Sequence, residues 1–398
     1  MSKTVSWLPT LPSGWREISL QYLAVIETGS RDTVDAKDDG EFPFIIRSAH
    51  PLRIDTYSYD TEAILTAGDG AVGEIFHHIS GKFEAHQRVY VIHSFRGVYG
   101  RFLYWYISSQ FRQVVSYGGA QTTVASLRRS MLATLPVALP PLESQRRIAD
   151  YLDRETGEID AMINKLGDLD ETLKQLGAQT TAVFGLDNRG EFQEADVNSP
   201  LAGIPDHWDR SKFGYEFTES TELNGDNPPG PLLSISEYRG VELNTRVDGQ
   251  QASLDVSKYR VVRPGQLAAN MMWLNHGGLG VSDLTGYISP DYKAFWISDR
   301  LEPRYVHYLF RSRRYIQYFG TIATGVRPNA QRVTKTSLNL MPIPVPPLET
   351  QRRIADHLDT VTSKIDAMLS KVGQLKDLLT ERRAALITDV VTGRKDVA

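Results

Sequence analysis

The sequence predicts a mixed α/β (α+β) protein with a pseudo-two-fold internal repeat. Two α/β domains are expected, joined by two long helices that pair as an antiparallel coiled coil. A thirty-residue segment that begins at Pro140 occurs again from Pro346, and twenty of the thirty aligned positions are identical. A Pro-x-x-Trp element that ends at Trp15 recurs with its end at Trp208. Because the opening and the closing elements both occur twice, the chain is predicted to consist of one unit that was doubled.

Each copy of the repeated segment is predicted to form a long helix. A Pro-Pro pair ends whatever precedes it, and no proline occurs between Pro141 and Pro200. Apolar residues then recur on alternating steps of four and three, which is the a/d spacing of a coiled coil. The seam positions are Ile148, Leu152, Ile159, Met162 and Leu166 in the first copy and Ile354, Leu358, Ile365, Met368 and Val372 in the second. A surface helix packed on its own domain is the alternative, whereas pairing of the copies about a two-fold axis makes them antiparallel.

The repeat divides the chain into four segments. We expect a first domain at 1–139, a first long helix at 140–185, a linker with the second domain at 186–345, and a second long helix at 346–398. A seam of about 28 residues at about 1.5 Å per residue is about 42 Å long. One turn of B-DNA is about 34 to 36 Å. A paired rod of this length could therefore act as a spacer.

Composition excludes several classes of protein. With 41% hydrophobic residues, the chain can build real cores. No run of about 18 apolar residues is present to span a bilayer, and the N-terminal residues lack the apolar stretch of a signal peptide. The absence of cysteine excludes disulfides and thiolate metal sites. We therefore expect a globular protein of the cytoplasm.

The distribution of charge predicts a polyanionic partner, although the formal net charge is -4. Residues 85–142 and 303–348 contain no acidic residue, and the two stretches occupy equivalent places in the repeats. A charge run is usually a solvated face, but two equivalent acid-free runs favour phosphate binding. The cations of these stretches are Arg88, Arg96, Arg101, Arg112, Arg128 and Arg129 in the first and Arg304, Arg311, Arg313, Arg314, Arg327, Arg332 and Lys335 in the second.

Each acid-free stretch also contains a loop whose side chains suit contact with DNA bases. Glutamine and asparagine pair bidentately with adenine, and arginine pairs with guanine. An ordinary polar loop is the alternative, since phosphate contacts outnumber base contacts in most interfaces. The predicted DNA-binding residues are Arg88, Gln121, Thr122, Thr123 and Arg128 in the first domain and Arg327, Asn329, Gln331, Arg332 and Lys335 in the second.

Three sequence features are similar to enzyme motifs, and each has a simpler explanation. Gly68 to Gly73 fits G-x-G-x-x-G, but Gly81 follows too soon for a nucleotide-binding helix, so a tight turn is predicted. Asn227-Pro228-Pro229-Gly230 has glycine where amino-methylating DNA methyltransferases have an aromatic residue that stacks on the base. The histidines, including the pair at 77 and 78, offer no i, i+4 metal pair with a nearby carboxylate. We therefore expect no catalytic residue, no metal site and no cofactor in this chain.

The doubled motifs resemble those of a known family. Two divergent domains, each opened by Pro-x-x-Trp and closed by Pro-Pro-Leu-Glu-x-Gln-Arg-Arg-Ile-Ala-Asp and a long helix, are similar to the specificity subunit of type I restriction-modification systems. The resemblance covers essentially the whole chain, including Phe184-Gly-Leu-Asp187 after the first helix and Val391-Thr-Gly393 after the second. The duplicated Pro-Pro-x-x-x-Gln-x-x-Ile segment is highly specific for that family.

The resemblance implies a non-catalytic reader of double-stranded DNA that also acts as an assembly scaffold. Each domain would be a target recognition domain for one half of a split, asymmetric sequence. The paired helices would fix the spacer and bind two modification (methyltransferase) subunits, which supply S-adenosylmethionine binding and adenine methylation. Restriction subunits, which hydrolyse ATP with Mg²⁺ and cut DNA, would join that core. The candidate contacts to these partners, or to the recognition domains, are Arg146, Arg147, Asp150, Arg352, Arg353 and Asp356.

Two alternative functions remain open at the level of the sequence. A single-chain DNA methyltransferase with unusual motifs would bind S-adenosylmethionine by itself. A coiled-coil scaffold without DNA affinity would leave the two acid-free stretches unexplained.

Overall fold

The computed structural model describes residues 11–70, 72–117, 127–180, 199–201, 204–225, 228–237, 239–245, 255–325 and 332–397, without the side chains of 112–117 and 178–180. The chain divides into two compact units. Unit 1 is Met1–Gly167 with Gly373–Ala398, and unit 2 is Asp168–Val372. Both boundaries fall inside a long helix, so each unit contains one α/β domain and part of both helices. The four sequence segments remain predictions, because this division follows contacts and not the repeat.

The described part of unit 1 contains short strands, two helices and the start of a long third helix. Its strands are β1 (Arg16–Ser19), β2 (Val25–Thr28), β3 (Phe42–Ile45), β4 (Leu52–Ile54), β5 (Tyr59–Asp60), β6 (Ala63–Ala67), β7 (Phe76–Ile79), β8 (Lys82–Ala85), β9 (Val89–His93) and β10 (Pro136–Leu139). Its helices are α1 (Gly100–Tyr117), α2 (Arg129–Ala133) and α3 (Leu142–Thr180), of which α3 continues into unit 2.

The core of unit 1 lies on both faces of an antiparallel sheet with the order β2-β9-β6-β7. Successive side chains of a strand point to opposite faces. Accordingly, Ile64 joins the cluster that contains Phe102 and Tyr106 of α1, whereas Leu65 joins the cluster that contains Phe83 of β8. β8 belongs to a second sheet with the order β4-β3-β8-β5. All of β6 is therefore buried, which explains why it is apolar except for Thr66.

The described part of unit 2 has the following elements. Its strands are β11 (Asp209–Lys212), β12 (Phe217–Ser220), β13 (Leu233–Ser236), β14 (Gly240–Leu243), β15 (Arg260–Val262), β16 (Leu267–Ala269), β17 (Leu279–Val281), β18 (Gly286–Ile288), β19 (Lys293–Ile297), β20 (Ala323–Thr324), β21 (Arg332–Val333) and β22 (Pro342–Val345). Its helices are α4 (Phe213–Glu216), α5 (Pro303–Arg311), α6 (Arg313–Ile322), α7 (Lys335–Leu340) and α8 (Leu348–Val391), of which α8 continues into unit 1.

The main sheet of unit 2 repeats the strand order of unit 1, although the two middle sequences diverge. It is antiparallel with the order β12-β19-β16-β17, so β12, β19, β16 and β17 correspond to β2, β9, β6 and β7. β16 alternates as β6 does, because Leu267 and Ala269 face the cluster of α5 and α6 while Ala268 faces the opposite cluster. A strand pair precedes each long helix, β1 with β10 and β11 with β22. The mixed α/β class and the internal repeat are confirmed.

The two long helices run antiparallel, as predicted. Within unit 1, Arg383 donates to both carboxylate oxygens of Asp160 at 2.8 and 3.2 Å, and Lys395 donates to the Tyr151 hydroxyl at 2.8 Å. Tyr151, early in α3, contacts Lys395 just after the end of α8, whereas Asp160, later in α3, contacts Arg383 earlier in α8. The two helices therefore run in opposite directions. Within unit 2, a Cβ built on Gly177 of α3 lies 3.9 Å from Ile365 of α8.

The buried seam is narrower than the heptad pattern predicts. Leu152, Ile159, Leu358, Ile365 and Val372 are buried, and Ile148 is buried with them, while Leu166 and Ile354 are half-buried. Met162 and Met368 are each 51% exposed, so their assignment to the buried seam is corrected. The residues that are buried recur mainly every seven positions, whereas the intervening row turns away from the partner helix. A narrow line of contact between two helices buries one such row and leaves the other open.

The two short family motifs of unit 1 meet in space. Trp15 N donates to Pro12 O at 3.1 Å, which forms the Pro-x-x-Trp turn. Gly393 has φ 73, and a Cβ placed on it lies 2.5 Å from Pro12 Cγ. Only glycine suits both the left-handed backbone and this close approach. Phe184 to Asp187 lie outside the described residues. Among the helices that the structure describes, none has the length and apolarity needed to span a membrane.

Candidate nucleic-acid interface

The predicted base-contacting loops are anchored in the same way in both units. Gln121, Thr122, Thr123, Arg327, Asn329 and Gln331 themselves lie outside the described residues. The chain reappears at Leu127, whose N–H donates to Gly68 O at 2.8 Å, and at Val333, whose N–H donates to Met271 O at 3.0 Å. Gly68 starts the β6–β7 turn and Met271 lies in the corresponding β16–β17 turn. Each loop therefore ends beside the same turn of the equivalent sheets.

The β6–β7 turn contains the glycine-rich sequence. Gly70 and Gly73 have φ 74 and 75, and the flanking strands are antiparallel neighbours. A nucleotide-binding crossover requires parallel strands and a helix. The predicted tight turn is confirmed.

The β16–β17 turn carries exposed apolar side chains that are not among the residues predicted to bind DNA. Met272 is 48% and Trp273 is 41% exposed, and the Trp273 ring stacks on His276 with centroids 4.4 Å apart. The signal in the sequence was Met-Met-Trp-Leu-Asn-His-Gly-Gly, in which large apolar residues enter a turn that normally consists of polar ones. Trp273 becomes a candidate for contact with bases because it lies in the turn that holds the end of the predicted loop.

The described DNA-binding candidates lie at the borders of these turns and loops. Arg88 donates to Asp69 at 3.0 Å, and Arg128 precedes α2 as an exposed residue. Arg332 is exposed in β21, directly after the undescribed loop. Lys335 begins α7, with 62% of its side chain exposed. Whether these residues contact DNA stays a prediction.

A cavity of about 370 Å³ opens beside Arg332 and Lys335 in unit 2. Its apolar wall comes from Met271, Phe295 and Val333. Its charged residues include Glu219, whose carboxylate accepts from Lys293 at 2.9 Å and from Lys335 at 2.7 Å. The lining residues are Glu219, Met271, Lys293, Phe295, Arg332, Val333, Thr334 and Lys335. Cations therefore outnumber the carboxylate in this cavity.

Comparison with known proteins decides the family. A model of the type I restriction modification DNA specificity domain matches residues 12–166 and 299–376, which together make up more than half of the chain. The chain belongs to this family. It is 23% identical to the type I restriction enzyme EcoDI specificity subunit of Escherichia coli, over 92% of this chain and 86% of the relative.

Two solved structures share the fold of this specificity subunit. One, described under the complex assembly and conformational transition of the type I R-M system, matches with a TM-score of 0.69 and 19% identity over 96% of this chain and 99% of its own. The other is the HsdS subunit from Thermoanaerobacter tengcongensis, with a TM-score of 0.53 and 18% identity over 97% of this chain and 98% of its own. The protein is a DNA specificity subunit of a type I restriction-modification system. It is a non-catalytic component of such complexes, whose cofactors reside on the modification and restriction subunits.

Several arginines of the acid-free stretches join the parts of the specificity subunit together. Arg101 and the Trp105 indole N–H both donate to Asp153 of α3, at 2.9 and 2.8 Å. In unit 2, Arg304 and the Tyr308 hydroxyl both donate to Asp359 of α8, at 2.6 Å each. Asp153 and Asp359 are equivalent positions of the repeat. A stretch without acids in sequence is therefore not free of acids in space, since the neighbouring helix supplies them.

The partner-binding candidates of the specificity subunit lie near the starts of the long helices. Their described contacts are those of Arg146 with the Tyr99 ring at 6.0 Å, Arg147 with Glu143 at 3.5 Å, Arg352 with Glu302 at 3.6 Å and Asp356 with Arg304 at 2.9 Å. Asp150 and Arg353 are exposed. Their contact with partner subunits stays a prediction.

The adjacent histidines at 77 and 78 form hydrogen bonds within unit 1. A ring nitrogen of His77 lies 2.9 Å from Ser48 O, and one of His78 lies 2.9 Å from Glu62. The described residues contain no cluster of three or more histidine or acidic side chains that could hold a metal ion.

Lowering the pH from 7 to 5 is expected to destabilise unit 2 through His307 of α5. The His307 Nδ1 accepts from Val281 N at 3.3 Å, which ties α5 to β17. Burial, together with the nearby charge of Arg311, lowers the pKa of His307 to about 4. A histidine in the unfolded chain has a pKa of about 6.5.

The unfolded state of unit 2 consequently takes up this proton first as the pH falls. The stabilisation is complete above about pH 6.5 and is lost towards pH 4, by up to about 3 kcal/mol. Thermal denaturation combined with hydrogen exchange of unit 2 should show this loss in the wild type and a weaker pH dependence in His307→Gln. Equal pH dependence in the two proteins would contradict the role of His307.

Proposed function

We propose that this specificity subunit recognises a bipartite, asymmetric DNA sequence, with one target recognition domain in 1–139 and the other in 186–345. The observation that carries the proposal is the shared anchoring of both loops, at Gly68 and Met271, on equivalent turns of equivalent sheets. Two loops of different sequence on one repeated frame suit two different half-sites. Gln121 and Thr122 would contact bases in the first half-site, and Asn329 and Gln331 in the second.

The subunit also serves, in this proposal, as the scaffold for two modification subunits and for restriction subunits. Met162 and Leu169 of α3 are about half exposed, and so are the repeat-related Met368 and Leu375 of α8. Exposed apolar rows on long helices suit docking of further helices. Two copies of one exposed row suit two copies of one partner subunit. The complex would act in the cytoplasm.

The test of this function is methylation of host DNA after co-expression with the genomic neighbours of the chain. The mass of the purified complex should correspond to one copy of this chain with two methyltransferase subunits. Single-molecule sequencing should find N6-methyladenine at one split, asymmetric motif, and deletion of this chain should remove it. Unchanged methylation after the deletion, or binding of S-adenosylmethionine by the isolated chain, would refute the proposal.

Half-site assignment is tested by single loop substitutions within the intact complex. Gln331→Ala should weaken methylation at the motif, or broaden the choice of base in only one half of it. The expected loss of discrimination between bases is about 1–3 kcal/mol for a lost bidentate contact. Gln251→Ala is the matched control, because Gln251 lies in the same sequence segment, 186–345, but outside the acid-free stretch 303–348. Equal effects of the two substitutions would contradict base contact by the 326–331 loop.

A further inference from the structure

Glu219 of β12 is a nearly buried carboxylate that holds cations at the edge of the DNA-binding candidates. Its side chain is 13% exposed and forms ion pairs with Lys293 at 2.9 Å, Lys335 at 2.7 Å and Arg260 at 3.6 Å. Lys293 and Lys335 line the cavity that adjoins the end of the undescribed loop, and Lys335 is the more exposed of the two. The charge of these lysines is therefore partly neutralised inside the domain.

The carboxylate is ionised in this setting. Burial raises the pKa of Glu219, but the hydrogen bonds and charges of Lys293 and Lys335 outweigh it and hold the pKa below the usual range. A DNA phosphate that approaches Lys335 meets a lysine whose charge is already shared with Glu219, and it either displaces this carboxylate or is repelled by it. Both reduce the net gain from each new phosphate contact.

Unit 1 contains the same arrangement at its own loop. Asp69 in the β6–β7 turn accepts from Arg47 at 2.6 Å and from Arg88 at 3.0 Å. Both arginines are substantially exposed, whereas Asp69 is mostly covered. The hydrogen bond from Arg47 is the main reason that the pKa of Asp69 lies below its usual range. Each domain thus places one carboxylate among cations, two around Asp69 and three around Glu219, near the turn that anchors its predicted DNA-reading loop.

We propose that Glu219 and Asp69 compete with the DNA backbone for the cations that they hold, and so limit the affinity of the subunit for DNA phosphates. The inference rests on the proposed DNA-reading function and deepens it. Phosphate contacts supply most sequence-independent affinity. A reader that binds every duplex tightly spends its time on incorrect sites, so limited phosphate affinity favours discrimination.

The test compares DNA binding by the assembled complex with and without the carboxylate. Glu219→Gln should bind a duplex that lacks the target motif about three- to tenfold more tightly than the wild type, with a salt slope steeper by up to about 0.9. Asp69→Asn should act in the same direction. Glu222→Gln is the matched control, because it removes the same charge from unit 2 but frees Arg263, which does not line the cavity. Equal tightening by Glu222→Gln would assign the effect to net charge and overturn the proposal.

Asp69→Asn tests the competition in unit 1, independently of the folding of Glu219→Gln in unit 2, and Lys335→Gln provides a further variant on an exposed side chain. Lys335→Gln should weaken DNA binding in the wild type and weaken it more strongly in the Glu219→Gln background, since the lysine is then free for phosphate. Equal effects in both backgrounds would overturn the competition. Titration of the isolated chain with inorganic phosphate separates free phosphate from the DNA backbone as the source of the anion. If Glu219→Gln binds free phosphate more tightly than the wild type but binds DNA equally well, the proposed competition with DNA is also overturned. A complex that methylates no motif refutes the DNA-reading function itself, whereas motif-specific methylation with unchanged variants refutes only this inference.

Discussion

Arg311→Ala is expected to unfold or severely destabilise unit 2, by about 3–5 kcal/mol. Arg311 ends α5, and its guanidinium donates to four backbone carbonyls, those of Ser236, Glu237, Gly277 and Leu279, at 3.3, 2.6, 3.2 and 2.9 Å. Burial lowers the pKa of Arg311 to about 10, so the side chain remains charged at neutral pH. Truncation removes these four hydrogen bonds from a half-buried site. Although Gly277 O still accepts from Leu279 N at 2.8 Å, the loss of the shared donor is costly.

The shape of the guanidinium sets the expected result of a conservative change. A lysine ammonium is a compact charge and cannot reach carbonyls from β13, the β16–β17 turn and β17 together, so Arg311→Lys should recover little of the lost stability. Arg313→Ala is the control, because Arg313 is an exposed neighbour in the same acid-free stretch. Denaturant unfolding of the three variants measures the difference. A small loss for Arg311→Ala, close to that of Arg313→Ala, would show that the carbonyl contacts contribute little.

Arg311 also shows where charge counting along the sequence loses its meaning. The sequence grouped Arg311 and Arg304 with Arg332 because no acid lies between them. Folding separates the three, since Arg311 is half-buried among carbonyls, Arg304 pairs with acids of α8, and Arg332 stays exposed beside the loop. Charge counts follow position in the chain, whereas the electrostatic potential depends on position in space. That two equivalent regions face DNA stays a prediction, and the exposed residues nearest each loop are its remaining candidates.

The repeated features were more predictable than the divergent ones. The long helices followed from proline punctuation and apolar periodicity, both of which act locally along the chain. The shared order of the two main sheets could not be predicted, because strand pairing joins distant residues such as those of β12 and β19. Trp273 was missed for a related reason, since only the pairing of β16 with β17 makes it a turn residue. The half-exposed Met162 was assigned to the seam because periodicity alone does not define how wide a helix contact is.

Gln145→Leu and Gln351→Leu are expected to cost about 2–4 kcal/mol each, although neither residue carries charge. These are the glutamines of the repeated Pro-Pro-Leu-Glu-x-Gln-Arg-Arg motif. Gln145 is 1% exposed, donates to Pro140 O at 2.8 Å and accepts from Tyr99 N at 2.7 Å. It thereby joins the strand–helix corner before α3 to the residue that precedes α1.

Gln351 makes the same two contacts in unit 2 and adds a third. It donates to Pro346 O at 2.7 Å and to Arg300 O at 2.9 Å, and it accepts from Glu302 N at 2.8 Å at the start of α5. Leucine has a similar volume but leaves these backbone groups unpaired in a buried corner, so the loss should be larger for Gln351 than for Gln145. The corresponding glutamates should recover only the accepting half of each set of contacts.

Denaturant unfolding followed by hydrogen exchange of each unit provides the measurement for the two glutamines. Arg147→Ala and Arg353→Ala serve as controls, because these motif arginines are exposed. The arginine changes should abolish co-purification with methyltransferase subunits and leave stability intact, while the glutamine changes should lower stability. In that outcome the arginines of the motif bind the partner, and the glutamines anchor the domain to the helix. Loss of stability at the arginines and not at the glutamines would reverse that division. The repetition of the whole motif follows physically from the first outcome, because each domain has to be fixed to its own helix and each helix has to offer its own partner surface.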